Sequence, residues 1–149
     1  MSPRKNGKIL IVDDDPSISR SYQKYLESEG YQVFVANNGD EGTKKVNLEK
    51  PDMILLDINM PVKNGIAMLE ELHSNMGQFM PLIIMLTAYG DLEAAVKATS
   101  LGAYDFLTKP IPLEKLRLAV KRGFEKISFN EQVAYILENN DEPFRNSII

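Results

Sequence analysis

Acidic residues stand at the ends of two apolar runs of the chain. Asp13, Asp14 and Asp15 follow the first run, and Asp57 closes the other. If the two runs are neighbouring strands, these carboxylates lie within several ångströms of one another, and two carboxylates ~5 Å apart repel by about 3 kcal/mol at an effective dielectric of 20. Such a cluster would be costly without a cation. An all-oxygen pocket suits Mg²⁺, which keeps coordination positions for phosphate oxygens.

A hydroxyl and an ammonium follow two further apolar runs, as Thr87 and Lys109. In-line phosphoryl transfer needs a metal on one side and donors of this kind on the other. Neither of the Gly-rich phosphate-binding patterns, G-x-x-x-x-G-K-[ST] and G-x-G-x-x-G, occurs in the sequence. One histidine, no cysteine and no serine held beside a base leave no machinery for acyl transfer. A carboxylate nucleophile that forms an aspartyl phosphate remains.

Alternating short apolar runs and amphipathic stretches must position these groups. Strands are predicted at Lys8–Val12, 32–35, Met53–Asp57, 82–86 and 104–107. The first, third and fourth runs are continuously apolar, which is typical of strands covered on both faces. Helices are predicted at 16–29, Gly39–Glu49, 64–75, 91–100 and from about Pro112 onward. Five strands alternating with five helices predict a doubly wound α/β fold, in which ligands bind at the carboxyl ends of the strands.

Particular residues are expected to cap these helices or to face the core. Asp15 and Asp91 are placed to cap the first and fourth helices. The fourth helix carries its apolar side chains at Leu92, Ala95 and Val96. The fifth helix is expected to face inward through the apolar residues Leu113, Leu116, Val120, Phe124 and Ile127.

Size and charge restrict the class of protein. The 149 residues, with 17 Lys+Arg against 21 Asp+Glu and a net charge of −4, fit one globular domain. A mildly acidic chain has no basic face for nucleic acid, and no apolar stretch is long enough for a signal peptide or a membrane span. Zero cysteine is compatible with a reducing compartment. We therefore expect a cytoplasmic protein without membrane or direct nucleic-acid contact.

Four motifs, in order and each on a predicted strand end, resemble those of response-regulator receiver domains of bacterial two-component signalling. They are Ile-Leu-Ile-Val-Asp13-Asp14-Asp15-Pro16, Leu-Leu-Asp57-Ile-Asn59-Met60-Pro61 with Gly65 following, Leu86-Thr87-Ala88, and Phe106-Leu-Thr-Lys109-Pro110. The resemblance covers about residues 8–126. It implies a flavodoxin-like three-layer sandwich with a five-stranded parallel sheet in the order 2-1-3-4-5 and five helices.

The same resemblance implies a role for each matched residue. Asp57 accepts a phosphoryl group from a sensor histidine kinase. Mg²⁺, for which Mn²⁺ can substitute, is bound directly by Asp14, chiefly through water by Asp13, and by Asp57 and the backbone carbonyl of Asn59. The domain is then a signalling phosphoacceptor rather than an enzyme with a separate substrate.

Further roles on the phosphoryl side are implied at the ends of the fourth and fifth strands. Thr87, Ala88 and Lys109 bind the phosphoryl group, and Lys109 also holds Asp57 before reaction. Thr87 and Phe106 form the switch that alters the surface of helix 4, strand 5 and helix 5, the expected output and dimer surface. The Lys109–Pro110 peptide bond is the candidate for a cis conformation.

The last residues extend beyond the expected receiver domain of residues 1–126. Residues 127–149 are expected to form a helical extension and a linker, and the seven-residue spacing of Leu113, Val120, Ile127 and Ala134 suggests part of a homodimer seam. Residues 144–149 resemble the approach to the ATPase domain in sigma-54-dependent transcription regulators. This resemblance implies ATPase and DNA-binding output domains outside the chain, whereas a stand-alone regulator is the alternative.

Two other interpretations remain open from the sequence. Asp13-x-Asp15 after an apolar run resembles the nucleophile motif of haloacid-dehalogenase-type phosphatases, in which Asp13 would be the nucleophile. A pseudo-receiver would have the fold without phosphorylation, although all five key residues are present.

Overall fold

The computed structural model describes residues 7–88 and 91–139. The strands are β1 (Lys8–Val12), β2 (Gln32–Ala36), β3 (Met53–Asp57), β4 (Leu82–Thr87) and β5 (Asp105–Thr108). The helices are α1 (Pro16–Ser28), α2 (Gly39–Glu49), α3 (Gly65–Met76), α4 (Leu92–Ser100) and α5 (Leu113–Asn139). The predicted strands differ from the observed ones by about one residue at an end. A 3₁₀ turn at Gly77–Phe79, which the sequence analysis did not predict, follows α3.

The five strands form one parallel sheet in the order β2-β1-β3-β4-β5, which confirms the predicted topology. Leu10 pairs with Ile54, and Ile54 pairs with Ile83, so the two central interfaces are in register along three strands. Every residue of β3 is buried. The strand lies between β1 and β4, and helices cover both faces of the sheet. This burial explains why the sequence of β3 is continuously apolar.

Alternating side chains of the sheet build two separate cores. Ile9 and Ile11 of β1 pack with α1 and α5, whereas Leu10 and Val12 pack with α2, α3 and α4. Successive side chains of a strand point to opposite faces, so each central strand contributes to both cores. The result is the expected three-layer sandwich, with the sheet between two helical layers.

Short polar side chains cap the starts of four helices, with Asn38 accepting from the N–H of Glu41 in α2. The Asp15 carboxylate accepts hydrogen bonds from the N–H groups of Ser17 and Ile18 at the start of α1. Asn64 and Asp91 accept equivalent bonds at the starts of α3 and α4. These caps satisfy donors that the first turn leaves unpaired, and they confirm the predicted roles of Asp15 and Asp91.

The apolar pattern of α4 and α5 is only partly buried. In α4 it is Ala95 and Ala98 that face the core, while Leu92 and Val96 are 71% and 63% exposed. Leu113, expected to face inward from α5, is also exposed. A short helix at the side of a four-residue edge strand covers little area, so its larger side chains remain at the surface.

Helix α5 crosses residue 126 without interruption and continues to Asn139. Val120, expected in a dimer seam, is instead fully buried in the core of its own domain, and Ile127 packs against the same cluster. The division of the chain at residue 126 stays a prediction. The expected linker and its sigma-54-type ending fall largely on residues 140–149, outside the described residues. Among the described helices, none is long and apolar enough to cross a membrane.

Gly65, the first residue of α3, allows a close backbone approach. Its N–H donates to the Ile58 carbonyl at 2.9 Å, and a Cβ at this position would overlap the carbonyl oxygen of Asp57. Because backbone must move to relieve that overlap, we expect Gly65→Ala to destabilise the domain by about 1–3 kcal/mol or more. Urea unfolding measures the loss.

Gly42→Ala is the matched control for this substitution. Its Cβ would lie 2.8 Å from the Met68 sulfur, which belongs to a flexible side chain, and alanine favours the helix by about 1 kcal/mol. We expect a change within about 1 kcal/mol. Equal losses for the two variants would contradict the argument that the backbone contact at Gly65 is the constraint.

Candidate functional site

The predicted site residues meet at the carboxyl edge of the sheet. Asp13 follows β1, Asp57 ends β3, Thr87 ends β4 and Lys109 follows β5. Asp13, Asp57 and Thr87 are 0%, 4% and 3% exposed. Since β1, β3, β4 and β5 are consecutive in the sheet, four groups far apart in sequence become neighbours.

Three carboxylates form the acidic side of this site. Oxygen atoms of Asp13, Asp14 and Asp57 all lie within 4.8 Å of one another, with Asp14 exposed and the other two buried. Burial, together with the charge of Asp13, raises the pKa of Asp57 to about 6 despite the opposing effect of Lys109. Burial and the neighbouring charge of Asp13 thus both disfavour the ionised form of Asp57, and Lys109 offsets them only in part. A hard divalent cation with oxygen ligands fits this donor set.

Lys109 supplies the positive charge of the cluster itself. Its Nζ lies 2.9 Å from Asp13 Oδ2 and 3.2 Å from Asp57 Oδ2, so it joins the two buried carboxylates. Burial acts to lower the pKa of Lys109, but the hydrogen bond and charge of Asp13 and the charge of Asp57 raise it overall. One ammonium thus bridges two of the three carboxylates. The Lys109–Pro110 peptide bond is cis, as the sequence analysis predicted.

Backbone N–H groups hold the other oxygens of the two buried acids. The N–H of Asp15 donates to Asp13 Oδ1 at 2.9 Å, and the N–H of Asn59 donates to Asp57 Oδ1 at 3.3 Å. Each buried carboxylate is therefore fixed by an ammonium on one oxygen and a main-chain donor on the other. The N–H of Asn59 thus contacts the cluster, whereas a metal contact of its carbonyl stays a prediction.

Thr87 and Phe106 occupy the opposite side of the site. The Thr87 hydroxyl donates to the carbonyl of Ala88 at 2.7 Å, so in this conformation it is directed to its chain neighbour. Phe106, on β5, is exposed. A cavity of about 320 Å³ is lined by Thr87, Ala88 and Phe106 together with residues of α4. Thr87 and Phe106 thus border the same cavity.

Two residues near the site had no predicted role in it. Tyr22, expected only as part of the apolar stripe of α1, is close enough for the charges of Lys109, Asp13 and Asp57 to affect its hydroxyl, whose pKa burial raises. Lys63, in the loop after β3, makes contacts with two neighbouring helices. The positions of these two side chains could not be predicted from one sequence, because they depend on which helices pack beside the loop and the strand ends.

Comparison with known proteins agrees with this geometry. The family model described as the response regulator receiver domain matches residues 9–121. The chain is 38% identical over 122 residues to the transcriptional regulatory protein GlrR of Escherichia coli, covering 82% of this chain but 27% of that protein. It is also 38% identical over 117 residues to the sporulation initiation phosphotransferase F of Bacillus subtilis, covering 78% of this chain and 93% of that protein.

A solved structure gives the same relationship in three dimensions. The CheY-like response regulator receiver domain protein of Methanospirillum hungatei superposes with a TM-score of 0.76 at 35% identity, and the match covers 85% of this chain and 98% of that one. The sheet order, the acidic cluster and the lysine at the end of β5 are thus accompanied by sequence similarity over most of the chain. The chain belongs to the response regulator receiver domain family.

Proposed function

We propose that this domain accepts a phosphoryl group on Asp57 from a sensor histidine kinase in a Mg²⁺-dependent reaction. The observation that carries the proposal is the position of the Asp57 carboxylate, which is buried between Lys109 and the acids Asp13 and Asp14. In the reaction an Asp57 oxygen attacks phosphorus, the P–N bond of the phosphohistidine breaks, and the donor imidazole leaves with the electron pair. The domain catalyses only its own phosphorylation and dephosphorylation.

The residues of the chain divide the charge of the transferred group between them. Mg²⁺, or Mn²⁺ in its place, would be held by Asp13, Asp14, Asp57 and the carbonyl of Asn59, and would neutralise phosphoryl oxygens. Lys109 orients Asp57 before reaction and then faces another phosphoryl oxygen. Thr87 and the backbone at Ala88 would bind the third, which requires the Thr87 hydroxyl to leave the Ala88 carbonyl.

The switch follows from that movement of Thr87. As its hydroxyl turns toward the phosphoryl group, space opens next to Phe106, whose ring moves toward the cavity. Leu92, Val96 and Phe106 lie together on the exposed surface formed by α4 and β5, where they line an apolar cavity of about 330 Å³. We propose that this surface changes on phosphorylation and mediates dimerisation or contact with an output domain. Coupling of this kind is typically worth about 1–3 kcal/mol.

The output is transcription regulation in the interpretation we favour. The chain spans about a quarter of the length of GlrR, whose name describes a transcriptional regulator, so ATPase and DNA-binding output domains of the sigma-54-dependent type would lie outside this chain. The extended α5 would lead toward them in a cytoplasmic homodimer. The stand-alone regulator remains the alternative, since the chain covers 93% of the phosphotransferase F.

Phosphorylation is tested by incubating the chain with acetyl phosphate and Mg²⁺, trapping the acyl phosphate with borohydride and mapping the labelled peptide. We expect the label on Asp57, its loss in Asp57→Ala and its loss with EDTA, because the uncompensated acidic cluster repels the phosphodonor. Asp105→Asn, which changes an exposed acid at the start of β5, should be labelled normally. A label on Asp13 would favour the phosphatase interpretation, and no label with any donor would favour a pseudo-receiver.

Asp57→Asn should stabilise the metal-free domain at pH 8. A carboxyl whose pKa is raised to about 6 in the folded state favours folding when protonated, and that contribution is lost as the pH rises through 6. Removing the charge should recover about 1–3 kcal/mol at pH 8. Urea unfolding in EDTA at pH 8 and pH 5 should give a smaller gain at the lower pH. A gain that does not depend on pH would contradict the electrostatic explanation.

Val96→Asp should weaken dimerisation of the phosphorylated domain. The substitution places a charge on the exposed apolar surface of α4 without touching the acidic cluster, so phosphorylation itself should be unchanged. Leu48→Asp, at an equally exposed position of α2, is the control. Light scattering after chromatography should show a phosphorylation-dependent dimer for the wild type and Leu48→Asp but a monomer for Val96→Asp. Identical behaviour of both variants would remove this surface from the interface.

A further inference from the structure

The loop between β3 and α3 has a strained turn next to the phosphorylation site. Val62 has φ = 68°, a left-handed conformation that a β-branched residue rarely adopts. The N–H of Lys63 donates to the Pro61 carbonyl at 2.7 Å, which closes a three-residue turn around Val62. Val62 is itself exposed, so its own side chain does little to hold this conformation. A strained turn persists only where the surrounding structure holds it.

Lys63 is the residue that ties this turn to the rest of the domain. Its Nζ lies 2.7 Å from Glu71 Oε2 of α3 and 3.6 Å from Asp40 Oδ1 of α2, and its side chain is only 17% exposed. Its carbonyl accepts a hydrogen bond from the N–H of Gly39 at 3.1 Å. The approach is close, because a Cβ on Gly39 would lie 2.7 Å from that same carbonyl oxygen. One residue thus connects the loop to two helices through both its main chain and its side chain.

The other end of the same loop lies at the acidic cluster. Asn59 donates to Asp57, and Gly65 donates to Ile58, so the main chain is fixed where the loop leaves β3 and where it enters α3. Between these points the path of the backbone depends on the turn at Val62. If Lys63 releases the turn, the segment that contains Asn59 can change its path, and the Asn59 carbonyl then moves relative to Asp13 and Asp57.

We propose that Lys63 is a positioning residue that holds the strained turn and thereby presents the Asn59 carbonyl to the divalent cation. This proposal rests on the Mg²⁺ site of the proposed function. Lys63 acts through the backbone and not through its charge on the cluster, since Glu71 and Asp40 already balance that charge. The hydrogen bond from Lys63 holds the pKa of Glu71 below its usual range, and Glu71 is ionised at neutral pH.

A similar ion pair on the same helix provides the comparison. Lys97 of α4 lies 3.6 Å from Glu70, the residue before Glu71, and both partners are about half exposed. Within the part of the chain that the structure describes, no hydrogen bond or ion pair joins Lys97 to the β3–α3 loop. Lys63→Met and Lys97→Met therefore remove the same charge from neighbouring pairs, but only the first releases the turn.

The experiment measures Mg²⁺ affinity by calorimetric titration and loop protection by amide hydrogen exchange in the metal-free protein. We expect Lys63→Met to weaken Mg²⁺ binding by about tenfold, as for other residues that orient a metal ligand. The amides of Lys63 and Gly65 should exchange faster. Lys97→Met should change neither, and Lys63→Arg should restore much of the affinity. The proposal would be overturned if Lys63→Met had the same Mg²⁺ affinity and the same rates of amide hydrogen exchange as Lys97→Met.

Val62→Gly separates positioning from a general effect on stability. Glycine adopts a positive φ without strain, so the variant should unfold at a higher urea concentration. Glycine also permits other loop paths, so its Mg²⁺ affinity should fall. If the turn has only a structural role, the free energy of unfolding and the Mg²⁺ affinity of Val62→Gly should change in the same direction. That result would count against the proposal.

Failure of the proposed function gives a different pattern. If the wild type binds no Mg²⁺, and Asp13→Asn leaves the titration unchanged, the metal site is wrong. Faster exchange at Lys63 and Gly65 in Lys63→Met would then still show that Lys63 holds the turn. If instead the wild type binds Mg²⁺ and the loop amides of Lys63→Met exchange at the wild-type rate, the metal site stands and the role of Lys63 is overturned.

Discussion

Two carboxylates, Asp13 and Asp57, are buried side by side and share one ammonium, that of Lys109. Taking charges out of water is costly unless they are paired, and here the pairing is incomplete. Burial and the charge of Asp13 raise the pKa of Asp57, and Lys109 offsets this rise only in part. The remaining negative charge provides a reason for the site to bind a divalent cation and, with it, the oxygens of a phosphoryl group. The unbalanced charge thus lowers the stability of the metal-free domain and supports its proposed chemistry.

The sheet makes this arrangement possible. Asp13 follows β1, Asp57 ends β3 and Lys109 follows β5, and only a parallel sheet brings those three strand ends to one edge. The strands β1 and β3 are buried from both faces, so they can hold the two carboxylates in a rigid, dry setting. The neighbouring strand β4 ends in Thr87, and its residue Met85 pairs with Phe106 of β5. A change at the acidic cluster therefore lies one strand away from the exposed surface of α4 and β5.

Much of the fold could be predicted from the apolar pattern. Continuous runs such as Met53–Asp57 indicated buried strands, and the predicted boundaries agree with the observed ones to within about a residue. The exposure of Leu92 and Val96 could not be predicted, because the 3.6-residue period shows that a helix has an apolar side but not whether the neighbouring element is large enough to cover it. For the same reason a seven-residue repeat through Val120 and Ile127 suggested a dimer seam where the structure has its own core.

By itself, the sequence determined the class of fold and the types of residue at the strand ends, because strand periodicity and the acid, hydroxyl and ammonium groups are all local features. The tertiary structure decided how these groups share their charge. In the folded chain Lys109 bridges Asp13 and Asp57, and Thr87 donates to Ala88. Lys63 joins the β3–α3 loop to α2 and α3. All of these contacts are defined by distances between atoms. Such distances depend on strand order and helix packing, which bring together residues up to 96 positions apart in the chain.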